Sequence, residues 1–425
     1  MSTVILGGGI IGSSIAYYLS NKQPTEEIHV VECSSQLFSA ASGYAAGFLA
    51  KDWFAPSLAP LAALSFDLHG ELAAENGGTE KWGYMKGSAL SLDVSAGGLR
   101  NGPRGDDWLR AGTSRADAAA GSRESQIAEA PTWLTKQKGA ALEKISDDDT
   151  TAVADPLRLS KFLINTAVSR GVMLHHPAKA VSVVTGETGT ITGVKIVDLN
   201  TQNETTIPCT NLIVSAGPWT PQVFKEIFPS SEVSLPIGPL AGYSLVLRSP
   251  RYTLEHERVT HGGKSHAIFT THPDSCGFCP EIFSREGGEI YIAGLNSWDI
   301  PLPSHAEGSR DLFDPNEIAR LKDVSVRLMG KLADGSAEST DDVPNVDDLE
   351  IVREGLCFRP VTSRGTPLVS KVGEQSLGGV RARGGVYVAA GHGPWGISLS
   401  LGTGKVVAEM VQGVNTSADV SGLAV

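Results

Sequence analysis

The chain opens on a short β-branched run, Thr3-Val4-Ile5-Leu6, followed at once by Gly7-Gly8-Gly9. Ile11, Ile15, Tyr18 and Leu19 then recur at helical spacing, which predicts a helix that Gln23-Pro24 closes. Ile28-His29-Val30-Val31 predicts a second strand. Strand, turn, helix and strand within about 30 residues is the opening of a doubly wound α/β sheet. Further on, Leu157, Leu159, Phe162, Leu163 and Ala167 mark a helix over residues 155–170. Alternating or continuous apolar runs predict strands at 180–184, 193–197, 211–214, 243–247 and 289–293. The tail repeats the opening: a strand at 386–390, a glycine turn at 391–396 and a helix to Met410. Residues 94–130 break the pattern. They are rich in Gly, Ser, Ala, Arg and Asp with weak periodicity, which predicts an irregular surface insertion.

Composition narrows the class. The 425 residues suit two ordinary domains, or one domain carrying a large insertion. Hydrophobic residues at 41% and charged residues at 19% describe a packed globular protein. The net charge of −12 and the lack of any basic block argue against nucleic acid as a partner. No apolar run reaches the length of a membrane span. The five cysteines, Cys33, Cys209, Cys276, Cys279 and Cys357, are scattered and do not read as a secreted disulfide framework. A cytoplasmic protein is the expectation, with endosomal association or a peroxisomal location left open. Cys276-Gly277-Phe278-Cys279, with His261, His266 and His272 before it, matches no standard zinc spacing, so no metal is expected.

Gly7, Gly9 and Gly12 fit G-x-G-x-x-G in the context that pattern needs, after a strand and at the opening of a helix. The first glycine permits the turn, the second lets a pyrophosphate approach the backbone, and the third lets helix and strand pack closely. The amides of Ile10, Ile11 and their neighbours at the helix start then offer donors and partial positive charge to phosphate. Glu32, 20 residues after Gly12 and beside Cys33, can hold ribose hydroxyls, which disfavours a 2′-phosphate. The fingerprint alone does not separate FAD from NAD.

Three further segments supply that distinction by resemblance. They are Ala40-Ala41-Ser42-Gly43-Tyr44-Ala45-Ala46-Gly47-Phe48-Leu49-Ala50, Val214-Ser215-Ala216-Gly217-Pro218-Trp219-Thr220, and Val386-Tyr387-Val388-Ala389-Ala390-Gly391-His392-Gly393-Pro394-Trp395-Gly396-Ile397. In this order the chain resembles the D-amino-acid-oxidase-like family of FAD oxidoreductases, which includes glycine oxidase and sarcosine oxidase. The resemblance implies an α/β fold with a discontinuous Rossmann-type FAD-binding domain from residues 1–50, 150–232 and 353–425. A strand-rich α+β substrate domain from 51–149 and 233–352 would carry the insertion at about 94–130. Cofactor contacts are expected from Gly7, Gly9, Ile10, Ile11, Gly12, Glu32, Cys33, Ser42, Gly43, Ala46, Gly47, Val181, Ala216, Gly217 and Trp219. In the tail they are expected from Arg359, Gly391, Gly393, Pro394, Trp395, Gly396 and Ile397.

Gly355-Leu356-Cys357-Phe358-Arg359-Pro360-Val361-Thr362 is similar to the family's G-L-R-P-x-T segment. The resemblance implies that Arg359 anchors a substrate carboxylate, a task suited to a guanidinium fork that stays charged. The chain departs from the pattern at Arg364, where the family commonly carries Asp. Cys357 matches the position that carries a covalent flavin in the sarcosine oxidase branch, so a thioether is a further possibility. That branch's oxygen-reactive lysine has no match, and Tyr291 falls near its place. Tyr243, His392 and Trp395 are candidates for the pocket wall.

The expected activity is FAD-dependent oxidation of the C–N bond of a small amine or amino acid, by hydride transfer to the flavin. Oxygen or another acceptor would reoxidise the flavin, and the protein would be an oxidase or a dehydrogenase. Two alternatives stand beside it. One is a mainly interaction or trafficking role of the endosome-to-Golgi kind, with a protein partner bound through 94–130. The other is a hydroxy-acid dehydrogenase.

Overall fold

The computed structural model describes residues 2–22, 27–94, 115–119, 128–271, 277–340 and 342–425. Its frame is a six-stranded sheet whose central strand is the first of the chain, Ser2–Leu6. That strand pairs in parallel with Glu27–Val31 on one side and Asn211–Val214 on the other. Gly385–Ala390 extends the sheet in parallel beyond Asn211–Val214, and Met173–His175 does so beyond Glu27–Val31. Leu368–Lys371 adds an antiparallel edge. Every residue of the first strand is buried, as expected where structure covers both faces of a parallel sheet. The chain leaves that strand in one direction and returns on its other side. This is the switch point at which doubly wound sheets open a crevice beyond their strand ends.

The first helix, Ile10–Lys22, packs between the helices Pro156–Ser169 and Ser400–Gln412. Asp155 caps Pro156–Ser169 by accepting from Arg158 N at 2.8 Å, and Pro156 takes the first turn, where a missing N–H costs nothing. Its buried Leu159, Leu163 and Ala167 repeat at four-residue intervals, the stripe that the hydrophobic pattern predicts. Ser400–Gln412 comes close because Gly404 has no side chain; a Cβ there would fall 2.6 Å from Ser14 Cβ.

A larger mixed sheet runs in the order Glu350–Thr362, Ile237–Arg248, Glu289–Ser297, Glu281–Arg285, Ser265–Thr270, Met85–Asp93, Thr151–Val153 and Phe48–Ala50. Ala141–Lys144 pairs with Met85–Asp93 off this path. Phe48–Ala50, Thr151–Val153 and Glu350–Thr362 lie close to the expected domain limits and pair in this second sheet. A separate three-stranded antiparallel sheet joins Ala178–Thr185, Ile191–Asp198 and Glu204–Pro208. The architecture is thus a mixed α/β fold of a Rossmann-type half and a strand-rich half. The long strands Ile237–Arg248 and Glu350–Thr362 pair antiparallel, with Leu240 opposite Arg359.

Of the stretch at 94–130, only Val94, residues 115–119 and residues 128–130 are described. Arg115, Ala116, Ala118 and Ala119 are buried, so this part is not surface, contrary to the expectation from composition. The remainder of the expected partner-binding insertion lies outside the described residues, as do Cys276 and His272.

Candidate active site

A cavity of about 610 Å³ runs from the end of the strand Glu27–Val31, past the start of the first helix, to the face of the second sheet. At the nucleotide end, Gly7 has φ 107, a left-handed conformation that favours glycine, and a Cβ there would fall 2.5 Å from Ser215 O. A Cβ on Gly12 would fall 2.0 Å from Gly7 O. Helix and turn therefore close together only with glycine at both places. Glu32 accepts from Gly8 N and Ser34 N, each at 2.8 Å, which fixes its carboxylate at the rim. Ser42 Oγ accepts from Ile10 N at 2.9 Å. Glu307 folds over this end, accepting at one oxygen from Ser35 N, from Ser35 Oγ at 2.8 Å and from Gln36 N at 3.2 Å.

The far end is built from the second sheet and the tail turn. Arg359, half-buried on Glu350–Thr362, donates from Nη1 to Asn296 Oδ1 at 2.6 Å. Its guanidinium lies across the neighbouring strand at Gly242, where a Cβ would meet Nη1 at 2.0 Å. Among the described residues no carboxylate lies within ion-pair distance of Arg359. Arg115 contrasts with it: Nε and Nη2 pair with the two oxygens of Glu281 at 2.9 and 3.0 Å, with both side chains buried. The Arg115 guanidinium also sits 4.8 Å from the Trp395 ring centroid, a cation–π contact.

Burial sets the protonation of the wall. It pushes the Cys357 thiol up, with Arg359 and Arg353 opposing it, so the sulfur keeps its proton. It raises Tyr291 as well, whose hydroxyl donates to Tyr44 O at 3.1 Å. His392 is pushed down to about 3 by burial and stays neutral, with Nε2 3.0 Å from Thr403 Oγ1.

The cavity brings together Gly7, Gly9, Ile10, Ile11, Glu32, Cys33, Ser42, Ala46, Gly47, Ala216, Gly217, Trp219, Cys357, Arg359, His392, Gly393, Pro394, Gly396 and Ile397. Six expected residues stand outside its lining, each for a local reason. Gly12 supports Gly7 from behind, and Gly43 is closed off by Phe38 O, 2.2 Å from where its Cβ would lie. Val181 falls at a register shift between Ala180 and Ser182, and Ala178, Lys179 and Ala180 line the cavity in its place. Gly391 packs on Thr362. Tyr243 turns into the core, edge-on to Phe313, and its hydroxyl accepts from Asp314 N at 3.0 Å. Trp395 is buried against Phe54 and Arg115 behind the wall. Both aromatics are packing residues and not pocket residues. Sequence reasoning missed Arg115 and Glu281: the first sits in a stretch without periodicity, and the second is an acid within a wholly buried strand.

A glycine-lined crevice at the switch point of a Rossmann-type sheet, continuous with a charged chamber on a second sheet, is the geometry of a two-part site for a dinucleotide and a small substrate. Residues 2–410 match the family model described as FAD dependent oxidoreductase, and the chain belongs to that family. It is 28% identical to a Schizosaccharomyces pombe protein named only as an oxidoreductase, over 98% of this chain and 96% of that protein. Glycine oxidase from Geobacillus kaustophilus is 23% identical over 98% of this chain and 94% of its own. The solved structure of that glycine oxidase superposes with a TM-score of 0.67, covering 99% of this chain and 97% of its own at 20% identity. Iminodiacetate oxidase from Chelativorans sp. BNC1 superposes at 0.68, with 16% identity and coverage of 99% and 98%. The protein is an FAD-dependent oxidoreductase. The residues present fit the cofactor: a glycine turn open to a pyrophosphate, an acid fixed at the rim, and small residues Ala216 and Gly217 along the wall. Among the described residues no helix is long and apolar enough to cross a membrane.

Proposed function

We propose that the protein oxidises the C–N bond of a small amino acid or related amine that carries a carboxylate. The observation that carries this reading is Arg359: a guanidinium in the cavity wall, oriented by the neutral amide of Asn296 and lacking a carboxylate partner among the described residues. A substrate carboxylate completes that group with charge-assisted hydrogen bonds. The named activities of glycine oxidase and iminodiacetate oxidase, both on carboxylate-bearing amines, agree with it. Gly7, Gly9, Glu32, Ser42, Ala216 and Gly217 would hold FAD, which when bound supplies a two-electron hydride acceptor.

The remaining chemistry belongs to the chain. Burial keeps His392, Tyr291 and Cys357 uncharged, so none of the three is an ionised base awaiting an ammonium proton. Hydride loss from the α-carbon needs the nitrogen lone pair to form the imine, so the substrate amine reacts in its neutral form. Arg359 fixes one end of the substrate, and the Arg115–Glu281 pair limits the other side of the chamber. Loss of the carboxylate should therefore cost more than change of the side chain.

The test is an anaerobic screen of amino acids and secondary amines against the FAD-loaded protein, read as bleaching of the flavin absorbance. Bleaching by carboxylate-bearing amines and not by their decarboxylated counterparts supports the reading. Equal bleaching by both, or reduction only by hydroxy acids, overturns it. Reoxidation with and without oxygen then separates an oxidase from a dehydrogenase.

A further inference from the structure

Three potential ligands converge away from the flavin cavity, on the far side of the second sheet's strands. The helix Leu254–His261 carries Glu257 and His261 four residues apart, on one face. Gly262 and Gly263, with φ of 63 and 71, then reverse the chain, and Ser265–Thr270 begins. The reversal folds His266 back onto the helix. Ligand atoms of Glu257, His261 and His266 all lie within 4.8 Å of one another.

The polar balance of this cluster is unfinished. Glu257 is 2% exposed and His266 5% exposed. Among the described residues, both carboxylate oxygens of Glu257 and Nδ1 of His266 are buried without a hydrogen-bond partner. A buried carboxylate without partners costs several kcal/mol unless something compensates it. His266 does not supply that compensation: its Nδ1 stands 3.5 Å from Glu257 Oε2, too far for a good hydrogen bond. The backbone amide of His266 is tied to Ser284 Oγ at 2.8 Å, which fixes the strand beneath the ring. His261 meets the His266 ring edge to face, with centroids 4.6 Å apart. None of these residues lines the flavin cavity.

We propose that Glu257, His261 and His266 form a binding site for a divalent transition metal of the zinc class, separate from the flavin. Two imidazoles and one carboxylate are a borderline-soft donor set, which selects such an ion over magnesium or calcium. The 3.5 Å gap between Nδ1 and Oε2 is close to the edge of a tetrahedron with metal–ligand bonds of roughly 2.1 Å. His261 is only half-buried, which leaves the fourth position to water. The ion would satisfy both buried orphans at once and pin the helix Leu254–His261 to the strand Ser265–Thr270.

The FAD-loaded full chain, freed of metal with a chelator, should take up one Zn²⁺ per chain in equilibrium dialysis. Its melting temperature should rise, and its flavin spectrum should not change. Glu257→Gln and His266→Asn keep the shape of the buried groups, and each should weaken zinc uptake at least about tenfold. His261→Ala alters the half-buried member of the three and should weaken uptake similarly. An intact flavin spectrum certifies the fold of each variant, and His261→Ala decides if the two buried variants lose flavin. Absence of zinc uptake by the unaltered protein overturns the proposal. Undiminished uptake by His261→Ala also overturns it, since zinc held by the cysteines would persist there.

Discussion

The Arg359 guanidinium occupies the space that a side chain on Gly242 would fill, with Nη1 2.0 Å from the position of that missing Cβ. The two residues stand on paired strands, where Gly242 faces Cys357 and Arg359 faces Leu240. Gly242 thus holds a place open for the proposed carboxylate anchor. Gly242→Ala should drive Arg359 off Asn296 while leaving the sheet paired. Losing a charge-assisted contact is worth about 1.5–3 kcal/mol, so KM for the amino acid should rise about 10- to 100-fold. Arg359→Lys should show much of the same loss, because a point charge does not replace the fork. Steady-state kinetics on a substrate found in the anaerobic screen checks this, and unchanged KM in both variants refutes the anchor.

Cys357 lines the cavity two residues before Arg359, and burial keeps its thiol protonated. The thiolate is the nucleophile in covalent flavin attachment, so a sulfur held as a thiol disfavours the link. The flavin should therefore appear in the supernatant after acid precipitation. Cys357→Ala should retain a normal flavin content. A yellow pellet that Cys357→Ala abolishes would establish the thioether instead.

The nucleotide half of the site was legible because its constraints are backbone constraints. Gly7 and Gly12 are required where chain meets chain, and the same requirement writes G-x-G-x-x-G into the sequence. The strand after that turn and the acid at Glu32 follow from period and spacing. The substrate side is written differently. Arg115 reaches the chamber from a stretch with no periodicity, and its partner Glu281 comes from a distant strand. Tyr243 and Trp395 look like pocket aromatics in sequence, yet each packs into a core. Nothing local distinguishes an aromatic facing a cavity from one facing a neighbouring strand.

The Arg115–Glu281 pair is buried, and removal of one partner strands the other's charge. Breaking such a pair costs about 3–5 kcal/mol, whereas replacing both by apolar groups is often neutral. Arg115→Met and Glu281→Leu should therefore each lower the melting temperature markedly. The double variant should recover most of the loss. A double-mutant cycle from thermal or denaturant unfolding measures the coupling, and strictly additive losses would show that the two residues act independently.

His69 makes stability depend on pH. It is 1% exposed, its Nε2 lies 3.0 Å from Ile397 O, and its Nδ1 is buried without a hydrogen-bond partner among the described residues. Nε2 therefore donates, and burial outweighs the backbone groups of Ile397 and Ser398 that favour the charged ring. Burial holds the folded-state value down to about 4, against 6.5 for an ordinary histidine. Between these values the unfolded chain binds a proton that the folded chain refuses, so unfolding gains as pH falls. The stability is fully present above pH 6.5 and is lost progressively on acidification toward pH 4. The loss from this one ring approaches about 3 kcal/mol. His69→Gln keeps a donor toward Ile397 O and cannot titrate. Its melting temperature should fall less steeply than that of the unaltered protein between pH 6.5 and 4. Parallel pH profiles for the two proteins would mean that the His69 ring takes up its proton without cost in the folded state.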